Sequence, residues 1–170
     1  MKNFRTNKTF ILLYILILAL LIIYTINDVN RQSNLNVKLL SVMIVIVFAM
    51  LISSLLKKVI VTEDNINVKS LFKTTIIEID KIGYGYAISA MGRFVLIIND
   101  GTHTAMISSL MNGFNEIVAL VSSKIVEEER KAFDIITENS LKRKYIIYTC
   151  VMLVIVALLI YGNITSYNLI

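Results

Sequence analysis

The residues of this chain that could do chemistry are few and scattered. His103 is the only histidine. A hydrolytic or metal site would need a nucleophile, a second histidine or a carboxylate arranged around it. On a strand just past a turn, it reads as a partly exposed surface residue. Glu78 and Asp80 stand two apart, which on a strand is one face. That is a spacing open to acid–base work, but an exposed edge simply solvates such a pair. Gly83-Tyr84-Gly85 starts like a dinucleotide loop, yet no third glycine and no helix start follow. The acidic run Glu127–Glu129 and Arg130 reads as a solvated helix face. Cys150 is the only cysteine and lies in an apolar run, so there is no disulfide and no metal-ligand spacing. No nucleophile, base and oxyanion donor come together, so the sequence predicts no enzyme, no cofactor and no metal.

The elements around these residues are dominated by apolar runs. Hydrophobic residues make up 56% of the 170, and the mean hydropathy of +0.74 is too high for an ordinary water-soluble domain. Three stretches carry no charge: Thr9–Asn27, Leu39–Leu56, and everything after Lys144. A helix of roughly 20 apolar residues crosses a hydrocarbon core of about 30 Å. The sequence therefore predicts membrane helices over about 9–27 and 39–56, forming an N-terminal hairpin within 1–58, and a third over 142–170. The first, preceded by Lys2, Arg5 and Lys8, could be a secretory signal. Its apolar run is longer than such signals use and no small-x-small cleavage site follows, so it reads as an uncleaved anchor. Proline is absent, so nothing breaks the spans. No ionisable residue lies inside any of them, which argues against ion or proton translocation.

The formal charge is +5, but it is not spread evenly. Between Val59 and Ser140 seven basic residues face eleven acidic ones. The positive excess flanks the spans: Lys2, Arg5 and Lys8; Lys57 and Lys58; Lys142, Arg143 and Lys144. Three passes put all of these on one side, which the positive-inside rule makes cytoplasmic. The expectation is a multi-pass cell-membrane protein. Its N-terminus and soluble domain are cytoplasmic, with the turn Asp28–Lys38 and the tail Gly162–Ile170 outside. Asn163-Ile164-Thr165 forms a glycosylation sequon on that outer side, relevant only in a eukaryotic host. The acidic soluble part predicts no nucleic-acid partner. Abundant lysine, asparagine and isoleucine suggest a low-GC bacterium.

The soluble segment reads as short antiparallel strands followed by one helix. A strand at Val59, an acidic turn at Glu63–Asn65 and a strand through Ile66 and Val68 open it. Ile77 and Ile79 then oppose Glu78 and Asp80. Over 82–89 the alternation is complete, with Ile82, Tyr84, Tyr86 and Ile88 on one face and Gly83, Gly85, Ala87 and Ser89 on the other. Bare positions let another element approach the backbone, either a partner or the chain's own helix. Residues 93–98 are continuously apolar, as in a central strand. Asn99-Asp100-Gly101-Thr102 is a hairpin turn. A helix capped by Asn112 carries Phe114, Ile117, Val118, Val121 and Ile125 as one stripe. Residues 127–141 read as a helical stalk back to the membrane.

At this point the segment 59–126 resembles the bacterial pleckstrin-homology-like (PH-like) domains. "VTEDNINVKSLFKTTIIEIDKI" is similar to that family's opening. "RFVLIINDGTHTAMISSLMNGFNEIVALVSSKI" is similar to its close, a hairpin, a serine-leucine pair and a capping helix. The family's usual tryptophan in the "EID" strand is missing. The resemblance implies three transmembrane helices plus an α+β cytoplasmic domain, an antiparallel β-barrel or half-barrel capped by a C-terminal helix. Phosphoinositide binding is not implied: the basic first hairpin that serves it elsewhere is "TEDN" here, and its carboxylates would repel phosphate.

What the residues and the resemblance leave is interaction. Apart from the lipid bilayer itself, the expected partner is a membrane protein or a second copy. The protein would act as an adaptor or scaffold at the membrane face, and the candidate surface is Gly83, Gly85, Ala87 and His103. Small membrane proteins with such domains also resemble self-immunity factors against membrane-active bacteriocins, which is the alternative expectation.

Overall fold

The protein is described by a computed structural model that covers residues 1–29, 34–90, 93–125, 133 and 136–167. Most of the expected stalk at 127–141 lies outside the described residues. In chain order the elements are strand β1 (Lys2–Arg5), helices α1 (Lys8–Val29) and α2 (Asn34–Leu56), and strands β2 (Lys58–Val61), β3 (Asn65–Lys69) and β4 (Thr74–Glu78). Strands β5 (Tyr84–Ala90), β6 (Arg93–Asn99) and β7 (Thr104–Ser108), then helices α3 (Phe114–Lys124) and α4 (Glu138–Tyr167), complete the chain. They form two compact units, one from Met1–Asn7 with Leu56–Tyr148 and the other from Lys8–Leu55 with Thr149–Ile170.

The helical unit is built from α1, α2 and most of α4. Three segments, Lys8–Val29, Val37–Leu56 and Glu138–Thr165, are long and apolar enough to cross a membrane. The third begins earlier than the apolar run alone suggests. Thr137 and Ser140 exchange side-chain-to-backbone hydrogen bonds (2.9 and 3.1 Å), a reciprocal cap that starts the helix ahead of Lys142. Within this unit Asn163 is buried. Its Nδ2 donates to the Leu159 carbonyl at 2.8 Å and its Oδ1 accepts from Asn27 Nδ2 at 3.3 Å. The sequon asparagine is thus engaged between α4 and α1, in the manner of polar contacts between membrane helices.

The strand unit contains two antiparallel sheets, ordered β1-β2-β3-β4 and β5-β6-β7. The strands follow from period-two alternation. Ile66 and Val68 of β3, and Thr75 and Ile77 of β4, turn inward while Asn67 and Ile76 turn outward. In β6, Phe94, Leu96 and Ile98 are buried on one side and Ile97 on the other, as a central strand requires. After Glu78 the chain leaves the sheet through a single 3-10 turn, Ile79–Lys81, whose Ile79 N–H donates to the Asp64 carbonyl at 2.8 Å. The stripe Phe114, Ile117, Val118, Val121 and Ile125 of α3 closes the core over both sheets.

Two features depart from the sequence reading. The first is β1. Lys2–Arg5 pairs with β2 in register, Arg5 opposite Lys58 and Lys2 opposite Val61, and Phe4 is buried in the core. The basic leader of the first span is therefore also an edge strand of the folded unit, and lies on the same side as the rest of that unit. It continues into the other end of the domain: Asn7 N–H donates to the Leu110 carbonyl and Asn112 N–H to the Arg5 carbonyl, both at 2.9 Å, around a Thr6–Met111 bridge. The second follows from the first. Asn112 does not cap α3, because its backbone is held by Arg5. The cap residue is Gly113 at φ 70°, with no side-chain cap bond. A side chain on Gly113 would run into the Phe4 ring.

Phe4→Ala is expected to lower the stability of the strand unit by about 3 kcal/mol, the range for losing a buried phenyl ring. Asn3→Ala, at an exposed position of the same strand, is expected to change little. Thermal unfolding of the full chain in detergent, followed by near-UV circular dichroism, tests the pair. Equal melting of the two variants would contradict a structural role for β1.

Candidate interaction surface

The four residues singled out by sequence do not form one surface. Gly85 and Ala87 are buried, and Gly83 and His103 are exposed. A Cβ on Gly85 would lie 2.7 Å from Ile125 Cδ1, 3.2 Å from Phe133 Cζ and 3.4 Å from Val121 Cγ1. At Gly83 it would meet nothing within 4 Å. The bare face of β5 is thus where the chain's own helix comes close, the approach that small residues permit.

The bulky face of β5 consequently points outward. Tyr84, Tyr86, Ile88 and Met106 are 43, 40, 42 and 56% exposed. The register makes Tyr86, Ile97 and Met106 one cross-strand row, with Tyr84 and Ile88 on either side. The two tyrosine rings stack, centroids 6.3 Å apart at 13°. Beside them, β5 pairs with β6 alone among the described residues. The sequence carried the signal for this face in its Tyr-x-Tyr-x-Ile alternation. What it left open was whether a partner or the chain's own helix covers the bare face, and at Gly85 the structure places Val121 and Ile125 there.

His103 belongs to a different feature, the β6–β7 hairpin. The turn closes with the Asp100 N–H donating to the His103 carbonyl (3.2 Å), and Gly101 takes a positive φ of 90°. Asp100 Oδ1 accepts from the Thr102 N–H (2.9 Å), the Thr102 hydroxyl (2.8 Å) and the His103 N–H (2.6 Å). Its carboxylate is only 5% exposed. Burial alone would raise its pKa, but these hydrogen bonds and the neighbouring imidazole outweigh burial and hold it at about 2. His103 Nδ1 also lies 2.8 Å from the Thr102 hydroxyl oxygen and 3.8 Å from Asp100 Oδ2.

Threonine, histidine and aspartate so close together invite comparison with a nucleophile relay. In such a relay the imidazole stands between the other two, one ring nitrogen to each. Here both partners face Nδ1, and the threonine proton already goes to Asp100. The arrangement locks a turn and does not activate a hydroxyl.

The strand unit also has a groove of about 590 Å³ between the start of α3 and the start of α4, lined in part by Leu110, Phe114, Leu141 and Tyr145. Its charged side chains are engaged. Glu116 pairs with Lys2, and Lys142 with Glu138. Lys144 donates to the Ser89 hydroxyl at 2.8 Å and lies 5.7 Å from the centre of the Phe94 ring. Among the described residues no three histidine, cysteine, aspartate or glutamate side chains gather as a metal site would require. No family model, curated protein or solved structure matches the chain.

Gly85→Val is expected to destabilise the strand unit by about 1–3 kcal/mol through overpacking against Ile125 and Phe133, and Gly83→Val by much less. Melting temperatures of the two variants in one detergent compare them directly, and a reversed order would contradict the packing of β5 under α3.

A pH experiment tests the hairpin. Because the folded-state pKa of Asp100 lies below its ordinary 3.8, its stabilising contribution is complete above about pH 4 and is lost as pH falls towards about 2. Asp100→Asn should remove that part of the acid dependence. The check is the difference between wild-type and variant melting temperatures from pH 5 to pH 2, which should narrow with acidification. A difference that is constant across this range would contradict the assignment.

Proposed function

We propose that this chain is a membrane-anchored adaptor: a PH-like unit held at the cytoplasmic face that binds a membrane-protein partner and catalyses nothing itself. Seven strands divided four and three, with a helix after the last strand, support the PH-like reading. The cytoplasmic assignment rests on the basic residues beside the spans, including Lys57, Lys58 and Lys142–Lys144.

The observation that carries the proposal is the outer face of β5–β7. Four large side chains, two of them stacked tyrosines, stay in contact with solvent there, beside a strand edge with no partner strand among the described residues. Tyrosine at such a face supplies large contact area and a polar end at small entropic cost, which is why it is enriched in binding sites. An open edge adds main-chain hydrogen bonding to a partner strand. The chain leaves the strand unit for the spans at Asn7, at Leu56 and beyond Tyr148. Tethering of this kind raises the effective concentration of the unit towards partners in the same membrane.

Photoreactive residues at Tyr86 and Met106, with a control at Glu63 in the β2–β3 turn, test the reading in intact membranes. One partner captured at constant ratio from positions 86 and 106, and not from 63, is the expected outcome. Products containing only this chain would replace the adaptor with a self-assembling scaffold. Absence of any product at 86 and 106 would remove the interaction reading.

A further inference from the structure

The β3–β4 hairpin ends in residues that a turn does not call for. The Ser70 N–H and Ser70 hydroxyl both donate to the Lys73 carbonyl, at 2.9 Å each, which leaves Leu71 and Phe72 as the two-residue loop. Such loops favour glycine, asparagine or aspartate, as Gly101 illustrates in the β6–β7 hairpin. Phe72 is 93% exposed, the largest value of any large hydrophobic side chain among the described residues. Lys69 and Lys73 flank it.

Register places this tip. Lys58 pairs with both Arg5 and Lys69, and Lys69 with Thr74. The tip therefore lies at the end of the four-stranded sheet from which the chain continues into α1 after Asn7, and at which it returns from α2 after Leu56. Charge divides along the same axis. The span end carries Arg5, Lys57, Lys58, Lys69 and Lys73, while Glu63, Asp64 and Glu78 stand at the other end, where the one lysine of β1, Lys2, is paired with Glu116. None of those five cations pairs with a carboxylate among the described residues. Arg93 is close as well: its charge, after burial, lowers the pKa of Lys57. Its buried Nε has no hydrogen-bond partner among the described residues.

We propose that the Leu71-Phe72 tip is an additional membrane contact, entering the interfacial layer of the anionic leaflet beside the spans while Lys69 and Lys73 meet lipid phosphates. An exposed aromatic flanked by lysines is the composition that the interface accepts, ring at the level of the headgroups and ammonium groups on the anionic surface. The contact orients the strand unit on the membrane, with the acidic turns away from it. The inference rests on the three helices being spans and is independent of the adaptor reading.

The chain contains no tryptophan, so Phe72→Trp and, as a control at the opposite end of the sheet, Glu63→Trp each introduce a single reporter. The full-length variants are reconstituted in vesicles of phosphatidylcholine with phosphatidylglycerol, with and without bromine on the acyl chains. The reporter in Phe72→Trp is expected to emit further to the blue, to be quenched by brominated lipid, and to resist acrylamide about threefold better than that in Glu63→Trp. Protection should weaken when phosphatidylglycerol is left out. Equal acrylamide quenching at the two positions would overturn the proposal. So would protection of position 72 that follows protein concentration and ignores bromination, because a second copy would then be covering the tip.

Discussion

The backbone ladder between Lys2–Arg5 and Lys58–Val61 is the constraint on which the rest of the strand unit depends. It joins residues that the chain separates by an entire helical hairpin, and it sets Arg5 and Lys58 side by side at strand spacing, about 5 Å. The start of α1 and the end of α2 are thereby held next to each other from the folded side. The same four residues bring Phe4 into the core and carry the chain on to Leu110–Asn112. One short strand thus touches the first sheet, the segment after the last strand and the helix cap. Closing so long a loop adds little entropy beyond closing a short one, since the cost grows only with the logarithm of length.

Packing over the second sheet follows from α3. Its stripe presents Val121 and Ile125 to β5, and Phe133 joins them. These side chains occupy the space that a side chain at position 85 would need. The small residues of β5 must then face inward and the tyrosines outward, against the usual preference. The outward face that the proposed adaptor role uses is therefore a by-product of how closely the helix approaches the sheet.

Two of the β-hairpins closed by two-residue loops show how differently one kind of turn can be built. At Asp100–His103 local hydrogen bonds satisfy the turn, glycine supplies the positive φ, and a carboxylate shielded from water stays charged because three donors point at it. At Ser70–Lys73 the backbone is closed equally well, but the loop positions hold leucine and phenylalanine. The proposed membrane contact accounts for leucine and phenylalanine at loop positions where water favours polar residues.

Some of this was legible in the sequence by itself. The three apolar runs, the alternation of β3 and β4, the Asp-Gly turn and the stripe of α3 are local patterns, and their physics acts over a few residues. Hydropathy, period two and period 3.6 need no knowledge of the partner. Only the tertiary structure decided the remainder. Lys2–Arg5 is four residues with a single buried side chain, too short to declare itself a strand, and its partner lies beyond two helices. Asn112 has the right chemistry for a cap, but a backbone bond to Arg5 engages it and passes the position to Gly113. The alternation at 82–89 separated two faces clearly. Which one turned inward depended on a helix some thirty residues further on, because burial is settled by what packs against a face and not by the face alone.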